Sequence, residues 1–279
     1  MDVFIANNPA ALRGLDPHGT VEAEFGDVVV AGSMVTLAHH GARSGNPAPC
    51  VADVGALPEG CVVGISHMDL DTLGGLLALM GQKPEAESFW QLAAFVDVNG
   101  PHKMEESGAS LRDFDRLRAY WAWADSNKVN APKDGSVLNV TEETVAAGLA
   151  VRRILNGYSD MIDAGIEWAK AKEAENADSF VDVLDGVILR QSTSFVNHLY
   201  VAPGATVESV AVVSHNPTWG SVTLSFRDDS TGLNACEIVQ ELWGSEAGGH
   251  KGIAGSPRDV PLTLDDARAC AVRVRELVS

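Results

Sequence analysis

The sequence predicts an α/β fold, with a mainly parallel sheet and flanking helices in the N-terminal domain and a smaller mixed α/β domain after it. Three observations carry this reading. The apolar run Val62-Val63-Gly64-Ile65-Ser66 is followed by a helical stretch and a second apolar run, Ala93-Ala94-Phe95-Val96, the order of a parallel βαβ unit. The stretch from Lys170 to Asp178 is polar and poor in large apolar residues, which puts a boundary near Asn176 and gives domains 1–176 and 177–279. Beyond it the texture changes to short β-type runs punctuated by turns.

Composition supports a packed core. Of 279 residues, 46% are hydrophobic, and mean hydropathy is +0.02, which argues against disorder. No run approaches the ~20 apolar residues of a membrane span, and the first residues lack the basic and apolar regions of a secretory signal. The Asn139-Val140-Thr141 sequon is therefore not expected to be used. Cys50, Cys61, Cys236 and Cys270 are scattered with no Cys-x-x-Cys pair, so a cytoplasmic, reducing location is the expectation. The net charge of −18 repels polyanions and excludes a broad face for long duplex nucleic acid. A small anion remains compatible where local cations reverse the sign inside a cleft.

In chain order, Val28-Val29-Val30-Ala31 and Met34-Val35-Thr36-Leu37-Ala38 read as strands, followed by a Gly- and Pro-rich loop from Gly41 to Pro58. After the strand Val62–Ser66, Thr72 to Met80 reads as a helix closed by Gly81, a residue suited to the position after a helix C-terminus. The Ala93–Val96 run reads as a buried strand ending at Asp97. Leu111 to Ala124 is an amphipathic, aromatic-rich helix, and Thr141 caps another that continues past a break at Gly157 to about Ala177. In the second domain the strands are Val187–Leu189, His198–Val201, Val210–Val213 and Val222–Phe226, with turns at Pro203-Gly204 and Asn216-Pro217. Helices from Asn234 to Trp243 and from Leu264 to Val278 flank a glycine-rich loop.

Chemistry concentrates in His67-Met68-Asp69-Leu70-Asp71, directly after the first buried strand. Alternate residues of extended chain share a face, so His67, Asp69 and Asp71 can converge. The C-terminal ends of parallel strands are where open α/β sheets bind ligands. One imidazole with several carboxylates suits a hard or borderline divalent cation, and Asp97 is expected to bring one more carboxylate to the rim. Taken singly, an Asp at a helix start is usually a cap and a lone His usually surface or core; the trio with Asp97 favours metal.

Ile65-Ser66-His67-Met68-Asp69-Leu70-Asp71 resembles the first motif of the DHH phosphoesterase superfamily, and Ala247-Gly248-Gly249-His250-Lys251-Gly252 resembles the Gly-Gly-His motif of its associated substrate domain. The resemblance implies two Mn²⁺-type ions in the first domain, Mg²⁺ or another divalent ion being compatible, and water activated there to attack phosphorus. It also implies metal-ligating and catalytic roles for His67, Asp69 and Asp71, with Asp97 in place of the second-motif Asp. The chain departs from the pattern in having no Asp-His-His tripeptide, and Thr72 replaces the usual glycine. His102, in Asn99-Gly100-Pro101-His102, and Asp125 are the candidates for a missing imidazole and a late carboxylate.

The His-His pair His39-His40 precedes the metal motif and is trailed by Arg43. It reads equally as a site border or as a solvent-facing strand end. In the glycine loop, Gly248 and Gly249 let backbone approach an oxyanion, with donors and charge from His250, Lys251 and Arg258; a flexible turn is the plainer reading. No Walker loop, nucleophile elbow or His-Glu-x-x-His is present, and Trp121 and Trp123 are expected to pack a helix. The expected function is a divalent-metal-dependent phosphohydrolase acting on a phosphoester or phosphoanhydride bond of a small nucleotide-like or polyphosphate substrate. The alternatives are a non-catalytic phosphate-binding protein and a metallohydrolase of other bonds. No membrane partner is expected, and a homodimer is compatible.

Overall fold

The computed structural model describes residues 1–7, 9–23, 33–39, 43, 45–257 and 260–278, with all side chains there except those of Pro9 and His102. The chain divides into two compact units, Met1–Ala169 and Lys170–Ser279. The first unit contains β1 (Asp2–Ile5), α1 (Pro9–Arg13), β2 (Gly19–Val21), β3 (Val35–Leu37), β4 (Val62–Ile65), α2 (Leu70–Leu79), α3 (Glu87–Asn99), α4 (Leu111–Ser126), β5 (Leu138–Asn139) and α5 (Thr141–Leu155). A further helix, α6 (Ser159–Asp178), crosses the division. The polar stretch, read as a linker or as the exposed end of a helix, is the end of this helix; Ala, Glu and Lys dominate it, and all three are strong helix formers.

The first sheet has the order β3-β2-β4-β1-β5. β3, β2, β4 and β1 run parallel, and the two-residue β5 pairs antiparallel at one edge, so the sheet is mixed. Val3, Ile5, Val21, Val63 and Ile65 of the strands, all fully buried, pack with Leu37 of β3 and with Leu76 and Leu79 of α2. Each such side chain contributes about 1.5–3 kcal/mol of burial free energy. The expected strand Val28–Ala31 lies outside the described residues.

The run Ala93–Val96 is not a strand. It lies within α3, whose buried residues Phe89, Trp90, Leu92, Ala93 and Val96 recur at helical spacing. Four apolar residues in a row fit either element, and the expected βαβ unit is therefore not formed there. Thr141 begins α5 without capping it: Val140 is the N-cap, with no side-chain bond, while Thr141 Oγ1 accepts the Val3 amide.

The second unit holds β6 (Phe180–Leu184), β7 (Val187–Gln191), β8 (Ala211–Asn216), β9 (Ser221–Phe226), α7 (Ala235–Trp243), β10 (Gly248–Gly249), β11 (Ile253–Gly255) and α8 (Leu264–Val278). Its sheet, ordered β10-β11-β9-β8-β7-β6, has one parallel pair, β7 with β8, and is otherwise antiparallel. The expected strand His198–Val201 is a loop that keeps only an isolated bridge, Val201 to Glu208. Its Leu199 and Val201 carbonyls instead accept from the buried Arg190 guanidinium, which donates four hydrogen bonds and has no carboxylate pair among the described residues.

Candidate metal centre

The register of three parallel strands builds the site. Val21 of β2 lies between Leu37 of β3 and Ile65 of β4, so the chain leaves all three strands at the same rim. Just past those ends stand Glu22, His39 and Ser66-His67, and the next turn of chain enters α2 with Asp69 and Asp71. Ligand-carrying residues at strand carboxyl ends are what a parallel sheet offers.

Glu22, His39 and Asp71 are all buried, and one potential ligand atom from each lies within 4.8 Å of the others. His39 Nε2 faces Asp97 Oδ2 at 3.0 Å, Asp71 Oδ2 at 3.4 Å and Glu22 Oε1 at 3.7 Å. Three carboxylates thus converge on one imidazole nitrogen. Asp71 Oδ1 accepts the Cys50 amide at 2.9 Å, from the 3₁₀ turn Pro49–Val51, whereas its buried Oδ2 takes no hydrogen bond among the described residues. Such an atom in a water-poor site is costly unless charge or a cation meets it.

Glu22 sits at φ 44°, in the left-handed region that a non-glycine residue occupies at a cost of about 1–3 kcal/mol. Tertiary bonds hold it there: its amide donates to the Leu37 carbonyl, its carbonyl accepts the Ser66 hydroxyl, and its Oε1 accepts the His39 amide at 3.1 Å. Asp69 is the N-cap of α2, its Oδ1 accepting Thr72 N at 2.8 Å, while Oδ2 faces His67 Nε2 at 3.3 Å. The His67–Asp69 pair is more open than the buried trio, each side chain being nearly half exposed.

Electrostatics follow from burial and crowding. Desolvation pushes Glu22 up to about 7, with His39 opposing and Asp71 adding to the rise. Desolvation likewise pushes Asp71 up to about 6, opposed by the Cys50 hydrogen bonds and aided by Asp69 and Asp97. The Asp97 carboxylate beside it raises His39 against burial, and the Asp69 carboxylate raises His67 in the same way. Against the upward push of burial, His67 and the Thr72 amide hold Asp69 below the usual carboxylate range. Carboxylates forced toward neutrality beside a buried imidazole form a donor set that a divalent cation would fit, because its charge would let all of them ionise.

The remaining predicted residues distribute as follows. Asp97 joins the cluster, but from the last turns of α3 and not from a strand end. Asp125, near the end of α4, accepts the Trp168 indole N–H at 2.7 Å. Arg43 is half-buried, and its Nε–H donates no hydrogen bond among the described residues. His40, Arg258 and the His102 side chain lie outside what is described. In the second unit, Gly248 and Gly249 form β10, and the His250 amide donates to Ile253 O at 2.7 Å across the hairpin to β11. Lys251 Nζ pairs with Asp229 Oδ1 at 3.3 Å on the surface. Glu22 was not anticipated, because the three-residue β2 before it carries no strand pattern.

No protein-family model matches the chain, and no curated protein sequence does. Among solved structures, the pGpG-specific phosphodiesterase PggH from Vibrio cholerae is similar at TM-score 0.31 and 12% identity over 49% of this chain and 50% of that one. An uncharacterized protein from Helicobacter pylori G27 is similar at TM-score 0.23 and 16% identity over 79% of this chain and 76% of that one. The first match spans half the length of the PggH chain. At these scores neither likeness bears on what the chain does.

Proposed function

We propose that the chain is a divalent-metal-dependent phosphohydrolase whose cation is held by Glu22, His39, Asp71 and Asp97, with His67 and Asp69 at the open side. The observation that carries this is the buried convergence of Glu22, His39 and Asp71 within 4.8 Å, including an Asp71 Oδ2 left without a hydrogen bond among the described residues. Oxygen and imidazole donors suit Mn²⁺ or Mg²⁺ and disfavour thiolate-seeking ions.

The sequence resemblance supports the same reading. The His-His pair precedes the metal motif in the chain, yet β3 lies in the same parallel array as β4, and His39 Nε2 comes within 3.4 Å of Asp71. A bound cation would supply Lewis-acid stabilisation of charge on phosphoryl oxygens and would acidify water. The chain's own contribution is layered. Glu22, His39 and Asp71 are sealed from solvent and fix the charge, whereas His67 Nε2 and Asp69 Oδ2 are open to a small substrate. The N-terminus of the ten-residue α2 adds partial positive charge beside them, which favours a phosphoryl group.

The test is to strip the protein with chelator, titrate Mn²⁺ by calorimetry, and assay dinucleotides, nucleoside polyphosphates and inorganic polyphosphate. Mn²⁺-dependent phosphate or nucleotide release that disappears in Asp71→Asn is the expected result. Phosphate-compound binding without turnover across the panel would replace the enzyme by a binding protein, and no Mn²⁺ binding at all would overturn the metal site.

A further inference from the structure

We propose that the segment between α4 and β5, residues 127–137, walls the open side of the metal centre, and that its Lys133 takes a second phosphate of the substrate, so that the chain selects compounds with two or more phosphates over monophosphates. The inference rests on the phosphohydrolase reading above and adds to it a determinant of the substrate class.

Strand polarity places the segment. β1 runs parallel to β4 with Ile5 beside Ile65, and the Ala6 amide still donates to the Ile65 carbonyl at 3.2 Å, so Asn7 leaves the sheet at the rim where His67 stands. β5 pairs antiparallel on the other side of β1, with Leu138 beside Ile5, so the residues just before Leu138 run out past that same rim. Asn7 ties them there: its Nδ2 donates to the Pro132 carbonyl at 3.2 Å and to the Ala131 carbonyl at 3.5 Å. Val129 and Ala131 pack on the same apolar cluster as Met68, the residue between His67 and Asp69. Lys133 is exposed and directly follows the pinned Pro132. Between the chain at His67 and that carbonyl stand one strand spacing, about 4.8 Å, and one Asn7 side chain. A lysine side chain and one further phosphate span such a gap together. Asp134 turns back on its own loop, Oδ1 accepting the Ser136 amide at 3.0 Å. In a chain of net charge −18, which repels anions at long range, an ammonium at the mouth of the site offsets the field that a multiply charged phosphate meets.

Calorimetry on the Mn²⁺-loaded protein tests this, with methylenediphosphonate and methylphosphonate as probes that are not cleaved. Wild type is expected to prefer the diphosphonate. Chelation of the metal alone can favour that probe, so the change in the ratio of the two affinities decides. Lys133→Gln is expected to weaken the diphosphonate about tenfold, the scale of one hydrogen bond to a charged group, with a smaller change for the monophosphonate and none in Mn²⁺ affinity. Lys133→Arg should keep the preference. Asn7→Ala should erode it severalfold, because the segment is then no longer held at the rim. A Lys133→Gln protein with the wild-type ratio overturns the proposal and leaves the metal site standing, and so does an equal loss for both probes. Absence of Mn²⁺ binding in the wild type overturns the phosphohydrolase reading and the role of Lys133 with it.

Discussion

The Cys50 amide donates to Asp71 Oδ1 at 2.9 Å and leaves Oδ2 of the same carboxylate facing His39 Nε2 at 3.4 Å. One oxygen is thereby held by the backbone while the other is directed into the cluster. The turn that carries this amide reaches α2 because of glycine. A Cβ on Gly74 would stand 2.4 Å from Cys50 Cβ and 2.8 Å from Cys50 Cα, and one on Gly75 would stand 2.8 Å from Pro49 Cβ. Gly74→Ala is expected to push the turn away from Asp71. Overpacking of this kind costs on the order of 1–3 kcal/mol, and Mn²⁺ affinity should fall at least tenfold by calorimetry. Cys50→Ala keeps the amide and should leave affinity within a factor of about three, since burial pushes the thiol well above its usual range and it takes no ionised role. Equal losses in both variants would assign the effect to the side chain.

Asp71→Asn should separate stability from metal binding. The substitution keeps an acceptor for Cys50 N and removes one negative charge from a site where desolvation already lifts Asp71 to about 6. In chelator the melting temperature should stay level or rise. In Mn²⁺ the wild type should gain about 2.7 kcal/mol at a hundredfold excess over Kd, and the variant should gain none. A metal-induced rise in Asp71→Asn equal to wild type would remove Asp71 from the ligand set.

The pH dependence of metal-free stability has a definite sign. Glu22, at about 7 in the folded chain against an ordinary 4.5, and Asp71, at about 6 against 3.8, both bind protons more tightly when folded. Their stabilisation is therefore complete below the unfolded values and is lost as pH rises through about 6–7. His39 and His67 are raised too and act in the same sense from their ordinary 6.5 upward. Asp69, lowered from 3.8, acts oppositely but only in stronger acid. In chelator, wild type should lose melting temperature between about pH 5 and pH 7.5 more steeply than Glu22→Gln. In Mn²⁺ the slope should reverse, because cations bind the deprotonated ligands. A chelated wild type that tracks Glu22→Gln throughout would show that Glu22 titrates at its ordinary value.

The centre was partly legible from residue order. The β4–α2 junction stands out because an apolar run bounded by turns is followed at once by His67, Asp69 and Asp71, and strand ends are where such residues gather. His39 was evenly balanced, since nothing local says whether an imidazole after a strand looks inward; the strand order β3-β2-β4 decides it. Asp97 reaches the cluster from α3, so its presence did not depend on the strand assigned to it. Glu22 was illegible: its position depends on β2 pairing on both sides over three residues, a tertiary fact without local signature.

The glycine loop of the second unit offers a separation of backbone need from ligand need. Gly249 has φ 149°, and a Cβ there would lie 2.5 Å from the Ile253 carbonyl and 2.6 Å from Ala254 Cα, so the β10–β11 hairpin itself demands glycine. Gly249→Ala should therefore destabilise by on the order of 1–3 kcal/mol whatever the loop binds, and its loss of activity would say nothing about substrate. Gly248 differs, because a Cβ there meets nothing within 4 Å. Gly248→Ala should leave the melting temperature within about 1 °C, as surface substitutions away from strain do. If the loop's amides and His250 approach a phosphate, the added methyl should raise KM severalfold with kcat nearly constant, the pattern of lost uniform binding. An unchanged KM for every cleaved substrate would assign the Gly-Gly pair to the hairpin alone.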